Sequence, residues 1–199
     1  MFDARLRPLI DPPLDRAGRA IAVRGISADR VTLVGLALGL GAAAAIALGA
    51  PGWALLPLAL SRVMDGLDGA VARATRLSDF GGYLDIWSDF VFYGAVPFAF
   101  ALLDPGNALP AAFVLMAFYV NGSSFLGYAS MAAKRGLETA RQGRKSLYYS
   151  AGLMEGAETI AFFVLICAWP AAFPVAAWAF GGLCLLTATA RVLNARATL

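Results

Sequence analysis

Four aspartates stand at spacings that gather carboxylates: Asp65 and Asp68, three apart, and Asp85 and Asp89, four apart. Helical residues three or four apart share a face. Asp65, Asp68, Gly69 and Ala72 therefore line one face of one helix, and Gly81, Asp85 and Asp89 line one face of the next. A short turn near residues 76–79 would make these helices antiparallel neighbours and let the acidic faces meet. Carboxylates so gathered repel one another unless cations intervene. The chain has no histidine and only two cysteines, so neither a Cys₂His₂ nor a Cys₄ zinc site nor an imidazole base is available. An all-oxygen site suits hard divalent ions, Mg²⁺ or Mn²⁺, and four acids favour two ions over one. Gly69 and Ala72 keep their face free of bulk, so phosphates can approach the backbone. Arg73 stands beside them with a planar fork that fits a phosphate. A single intramembrane acid could be a packing partner of Arg62. Four at complementary spacing point to chemistry.

These residues must be positioned by membrane helices. Of the 199 residues, 60% are apolar and 15% charged, and the mean hydropathy is +0.70. A soluble domain runs at about 45–50% and about 25%. Uncharged stretches cover residues 31–61, 90–103, 105–133 and 159–190. Since a spanning helix needs about 20 apolar residues, the first stretch divides at the Gly49-Ala50-Pro51-Gly52 turn, and the last at Pro170 to Pro174. The expected architecture is an all-α integral membrane protein forming one domain over residues 1–199. It comprises six transmembrane helices, near residues 29–48, 51–76, 79–103, 108–134, 146–168 and 171–192, preceded by an amphipathic surface segment over 1–27. In that segment Leu14, Ala17 and Ile21 share a face, which places it on the membrane surface rather than in a signal peptide. Ser27 is the expected cap of the first span.

Orientation follows from the basic residues. Arg5 to Arg30, Arg73, Arg76, the 134–145 loop, Arg191 and Arg196 all fall on one side of a six-span chain, while the opposite loops carry only Asp104. Both termini are then cytoplasmic. Arg62 is the one basic residue well inside a proposed span. With Pro51 as the helix start, Asp65 lies about 21 Å along its helix, a depth at which a charged group marks a polar interior or cavity.

The string Asp65-x-x-Asp68-Gly69-x-x-Ala72-Arg73, seven residues, then Gly81-x-x-x-Asp85-x-x-x-Asp89 resembles the signature of the CDP-alcohol phosphotransferase family. Eight specified positions coincide by chance on the order of once in a billion starts. The likeness extends to the six spans and the cytoplasmic placing of the motif, and the nearest branch is a bacterial, phosphatidylglycerophosphate-synthase-like one. Many members have eight residues before the third motif position. The resemblance implies transfer of a substituted phosphate from a CDP-linked lipid, such as CDP-diacylglycerol, to an acceptor hydroxyl with release of CMP. It implies that Asp65, Asp68, Asp85 and Asp89 hold two divalent cations, and that Asp89 is also the general base. Gly69, Ala72, Arg73 and Gly81 would line the nucleotide site. Where members often carry Pro-Asn-x-x-Thr before the first span, this chain has Asp29 in place of Asn and keeps Thr32, a candidate nucleotide contact. The implied partners are the bilayer, the donor lipid, an alcohol acceptor and a second copy of the chain, with no nucleic acid. The implied location is a bacterial inner membrane.

Two groups bear on the acceptor. Arg141, Arg144, Lys145 and Ser146 could bind a second phosphate, as in glycerol 3-phosphate, or simply be a positive-inside loop. Glu155 and Glu158, two and three turns inside a helix starting near Ser146, could line a polar cavity or pair with Arg62. Gly35-x-x-x-Gly39 would allow close helix packing. The rival reading is a cation channel or transporter, which would need acids spaced across the whole membrane; here they lie in the cytoplasmic half.

Overall fold

The structure, a computed structural model, describes residues 3–136 and 154–198. Among the described residues seven α-helices follow in order: α1 (Asp3–Val23), α2 (Ala28–Ala47), α3 (Pro51–Ala74), α4 (Asp79–Leu103), α5 (Ala108–Lys134), α6 (Gly156–Ala168) and α7 (Phe173–Thr198). No strand occurs among the described residues. Single 3₁₀ turns at Pro105–Asn107 and Pro170–Ala172 lead into α5 and α7. Among the described residues, four segments are long and apolar enough to cross a membrane: Ala28–Ala47, Asp79–Leu103, Pro105–Lys134 and Pro170–Thr198. Of the other two expected spans, α3 carries Arg62, Asp65, Asp68 and Arg73 along its length, and α6 has 13 residues.

Helix starts follow local chemistry. Ser27 caps α2 by accepting from the Arg30 backbone N–H, and Ser78 caps α4 by accepting from that of Gly81. Pro51 opens α3, where a missing N–H costs nothing. Gly49, at φ 88°, makes the left-handed turn between α2 and α3.

The main core is aromatic. Phe92 and Phe100 of α4, Phe163 of α6 and Phe173 opposite them are fully buried, and Phe100 and Phe173 stack at 4.4 Å between centroids. The opposite, motif-bearing end is organised by α2, which packs closely on both α3 and α4. Gly35 and Gly39 make that approach possible. A Cβ on Gly35 would lie 3.0 Å from Met64 Cβ, and one on Gly39 would lie 2.7 Å from Phe92 Cδ2. This small-residue stripe is therefore used inside the chain rather than left for a second copy.

Three expectations are corrected here. First, the acidic faces of α3 and α4 do meet, but through side chains across a cleft rather than by close backbone packing, because α2 is wedged against both helices. Second, α1 is a helix, but Leu14 and Ile21, expected to face the membrane surface with Ala17, turn toward α2 and α3 together with Gly18, while Ala17 is exposed. Leu14 and Ile21 pack with Gly18 toward Val31, Leu67 and Val71. A Cβ at position 18 would lie 2.6 Å from that of Ala70, so this is the position that needs glycine. Third, Glu155 and Glu158 do not lie two and three turns inside a helix, because α6 begins at Gly156. Glu155 is extended, at φ −125° and ψ −165°, and is the N-cap of α6. Its backbone N–H donates to Glu158 Oε2 at 3.2 Å, so the two glutamates cap a helix start.

Candidate active site

The cleft between α3 and α4 is lined by the four aspartates with Thr32 and Gly35 of α2, Ser61 and Arg62 of α3, and Ser88 of α4. One carboxylate oxygen each from Asp65, Asp85 and Asp89 lies within 4.8 Å of the others. The i, i+4 spacing of Asp85 and Asp89 aims both across the cleft toward Asp65, one turn after Arg62. Three carboxylates this close stay ionised together only with cations among them. Carboxylate oxygens are the donor set that Mg²⁺ or Mn²⁺ takes, so the residues present fit a hard divalent ion.

Asp68 stands apart from that trio. It is 5% exposed, and its Oδ2 accepts from Thr32 Oγ1 at 2.6 Å. Thr32 thus anchors a motif acid to α2. Two side chains that spacing alone does not single out also reach the cleft. Arg62 Nη1 lies 3.0 Å from Asp89 Oδ1 and 3.6 Å from Asp65 Oδ1, so Arg62 pairs with the aspartates and not with a glutamate. Ser88 is buried, and its Oγ has no hydrogen-bond partner.

At the rim, Gly69 and Ala72 lie on the α3 face that carries Asp65 and Asp68. A Cβ on Gly69 would meet only the tip of the Arg73 side chain, at 3.3 Å, so the backbone there is open to a ligand. Arg73 Nη2 is 2.7 Å from Asp15 Oδ1, an exposed pair that ties α1 to the motif. Gly81 is in the first turn of α4, and a Cβ there would lie 3.0 Å from Ser78 Oγ and 3.3 Å from Asp29 Oδ1. The residue that replaces the usual Asn therefore sits against the third motif position. Arg141, Arg144, Lys145 and Ser146 lie outside the described residues. Arg191, which reads in the sequence as one more positive-inside residue, is 5% exposed. It donates to the Asn121 side chain at 3.0 Å and to Ser124 Oγ at 2.7 Å, joining α7 to α5.

An acidic cleft between two helices, with a glycine-lined face and an arginine at its mouth, is the arrangement that the aspartate motif builds. The chain belongs to the CDP-alcohol phosphatidyltransferase family, whose model matches residues 25–190. Over its full length it is 47% identical to inner membrane protein YnjF of Escherichia coli (strain K12), covering 97% of that protein. It is 36% identical over 100 residues, half of this chain and 53% of the relative, to archaetidylinositol phosphate synthase of Pyrococcus horikoshii. The fold is that of Mycobacterium tuberculosis phosphatidylinositol phosphate synthase PgsA1, at a TM-score of 0.69 and 20% identity. The CDP-DAG-bound form is covered to 92%, as is this chain. A second form of that enzyme, in complex with manganese and citrate, matches at the same TM-score over 88% of its length.

Proposed function

We propose that this chain is a metal-dependent transferase that moves a phosphatidyl group from CDP-diacylglycerol to an acceptor alcohol and releases CMP. The observation that carries the reading is the convergence of Asp65, Asp85 and Asp89 within 4.8 Å, at the motif positions of the family. In the reaction the acceptor oxygen bonds to the lipid-side phosphorus, the bond from that phosphorus to the bridging oxygen of CMP breaks, and the hydroxyl proton must leave. Asp89, at the inner end of the cleft, is assigned to take that proton. Asp65, Asp85 and Asp89, with Asp68 beside them, would hold the divalent ions, two for the four acids. Such ions supply charge neutralisation at the pyrophosphate and at the departing CMP. Gly69, Ala72 and Gly81 leave room for the nucleotide, Arg73 grips its phosphates, and Thr32 keeps Asp68 in place.

The setting is an inner membrane, with six helices embedded, both termini cytoplasmic, and the donor's acyl chains remaining in lipid as its head enters the cleft. Support comes from the four apolar helices and from the name of the 47% identical relative. The acceptor is a phosphorylated polyol. Glycerol 3-phosphate is the first choice from the basic residues between α5 and α6, and the archaeal relative's name favours an inositol phosphate as the second. The deciding experiment is CMP release by purified protein with CDP-diacylglycerol and Mn²⁺ across acceptors. Release with one of these two is expected; release with neither, but with an unphosphorylated alcohol, would overturn the acceptor assignment.

A further inference from the structure

Arg62 is left unused by the proposed chemistry, yet its guanidinium reaches into the acidic cleft. It precedes Asp65 by one turn of α3 and meets Asp89 at 3.0 Å and Asp65 at 3.6 Å. Nη2 donates to Ser61 Oγ at 3.1 Å, and Ser61 in turn donates to the Gly35 carbonyl at 2.7 Å. The guanidinium carbon lies 4.4 Å from the centroid of the Phe92 ring, a cation–π contact. The side chain is 17% exposed. Its Nε is buried with no hydrogen-bond partner. The head group is thus satisfied where it meets the carboxylates and unsatisfied on its stem side, so the carboxylates decide where it rests.

Two facts of charge give this placement a consequence. Asp65, Asp85 and Asp89 are too close together to remain ionised without a cation. Arginine keeps its charge at any working pH and is covalently attached, so Arg62 is the cation that is always present. It also lies on one of the three carboxylates that are placed to hold a divalent ion, and two cations at one carboxylate repel. The geometry points to Arg62 as a tethered counter-ion that competes with the divalent cation for Asp89, filling the acidic cleft in the metal-free protein and withdrawing from Asp89 as metal binds. It is a positioning residue. It keeps the acidic faces of α3 and α4 together when metal is scarce, and it raises the metal concentration needed to engage Asp89.

This inference rests on reading the aspartates as a metal centre, and the test separates the two. Mn²⁺ binding is followed by electron paramagnetic resonance on wild type, Arg62→Gln and Arg62→Lys, purified in detergent. Arg62→Gln is expected to bind Mn²⁺ about tenfold or more tightly, because a nearby positive charge has been removed. Arg62→Lys, which keeps the positive charge near the carboxylates, should stay within about threefold of wild type. In EDTA, Arg62→Gln should melt below wild type, with Mn²⁺ closing the gap. Unchanged or weakened Mn²⁺ affinity in Arg62→Gln would overturn the inference, as would equal tightening in both variants. A wild type that binds no Mn²⁺ would remove the metal-centre reading itself. Should Arg62→Gln not fold, the structure of Mn²⁺-loaded wild type decides: Arg62 Nη1 is expected beyond about 4 Å from Asp89, the limit of an ion pair, and a retained 3.0 Å contact would refute the competition.

Discussion

Asp89 and Asp68 have different surroundings, and their substitutions should separate accordingly. Asp89 shares the cleft with three other acids and a guanidinium. Asp89→Asn keeps the shape but removes the proton acceptor and one of the three converging charged ligands, so turnover should fall by roughly 10²–10⁴-fold or more, and Mn²⁺-dependent binding of CDP-diacylglycerol, read by calorimetry in detergent, should weaken as well. Near-normal turnover would remove Asp89 from the role of base. Asp68 is held instead by neutral donors, Thr32 Oγ1 at 2.6 Å and the Gly69 backbone N–H. Thr32→Val leaves a buried carboxylate short of the hydroxyl's bond, at about 1–3 kcal/mol. The variant should melt earlier in EDTA, while Thr32→Ser behaves as wild type. The aspartates were legible in the sequence because intramembrane acids are costly and their spacing has a helical period. Arg62 was visible only as a possible ion-pair partner, because its direction into the cleft depends on Phe92 and Ser61, and no spacing rule couples residues 62 and 92.

At the scale of elements, close approach to α2 and α3 decides the site's shape. Gly39 faces Phe92, whose ring carries Arg62. Gly39→Ala overpacks a fully buried aromatic and should cost about 1–3 kcal/mol, read as a lower melting temperature. Gly41→Ala, with nothing within 4 Å of its Cβ, should be silent. Gly18→Ala meets the Ala70 backbone carbon at 2.8 Å as well as its Cβ. Backbone cannot yield as a side chain can, so α1 should lift from α3 and release Arg73 from Asp15. Protease sensitivity of α1 in the folded protein checks this; unchanged protection would mean that α1 is held from elsewhere. The helix limits read well from the sequence because Pro, Gly and Ser mark them locally. The wedge of α2 did not, because a short turn suggests close backbone packing of α3 on α4, whereas packing on glycine brings α2 against both and leaves them meeting through their acidic side chains. The start of α6 at Glu155 was missed for a related reason, since an apolar run does not reveal the extended residue that precedes it.

For the whole molecule, the charges on one side and the apolar helices across predict the orientation. Green fluorescent protein fused at either terminus should fluoresce in the cytoplasm, and alkaline phosphatase placed after Gly106 should be active outside it. A fluorescent fusion at Gly106 would invert the topology. The cleft then opens at the leaflet that faces the nucleotide pool, which an enzyme that releases CMP requires, whereas an ion path would need acids on the far side as well. The central claim is that the aspartate cleft performs a metal-dependent transfer from a CDP-linked lipid. Its most direct test is CMP release from CDP-diacylglycerol by purified protein with phosphorylated polyol acceptors, in Mn²⁺ or EDTA, for wild type and Asp89→Asn. The account predicts release by the wild type in Mn²⁺, lost in EDTA and in the variant. Absence of release with every acceptor, together with no Mn²⁺-dependent binding of CDP-diacylglycerol, would contradict it.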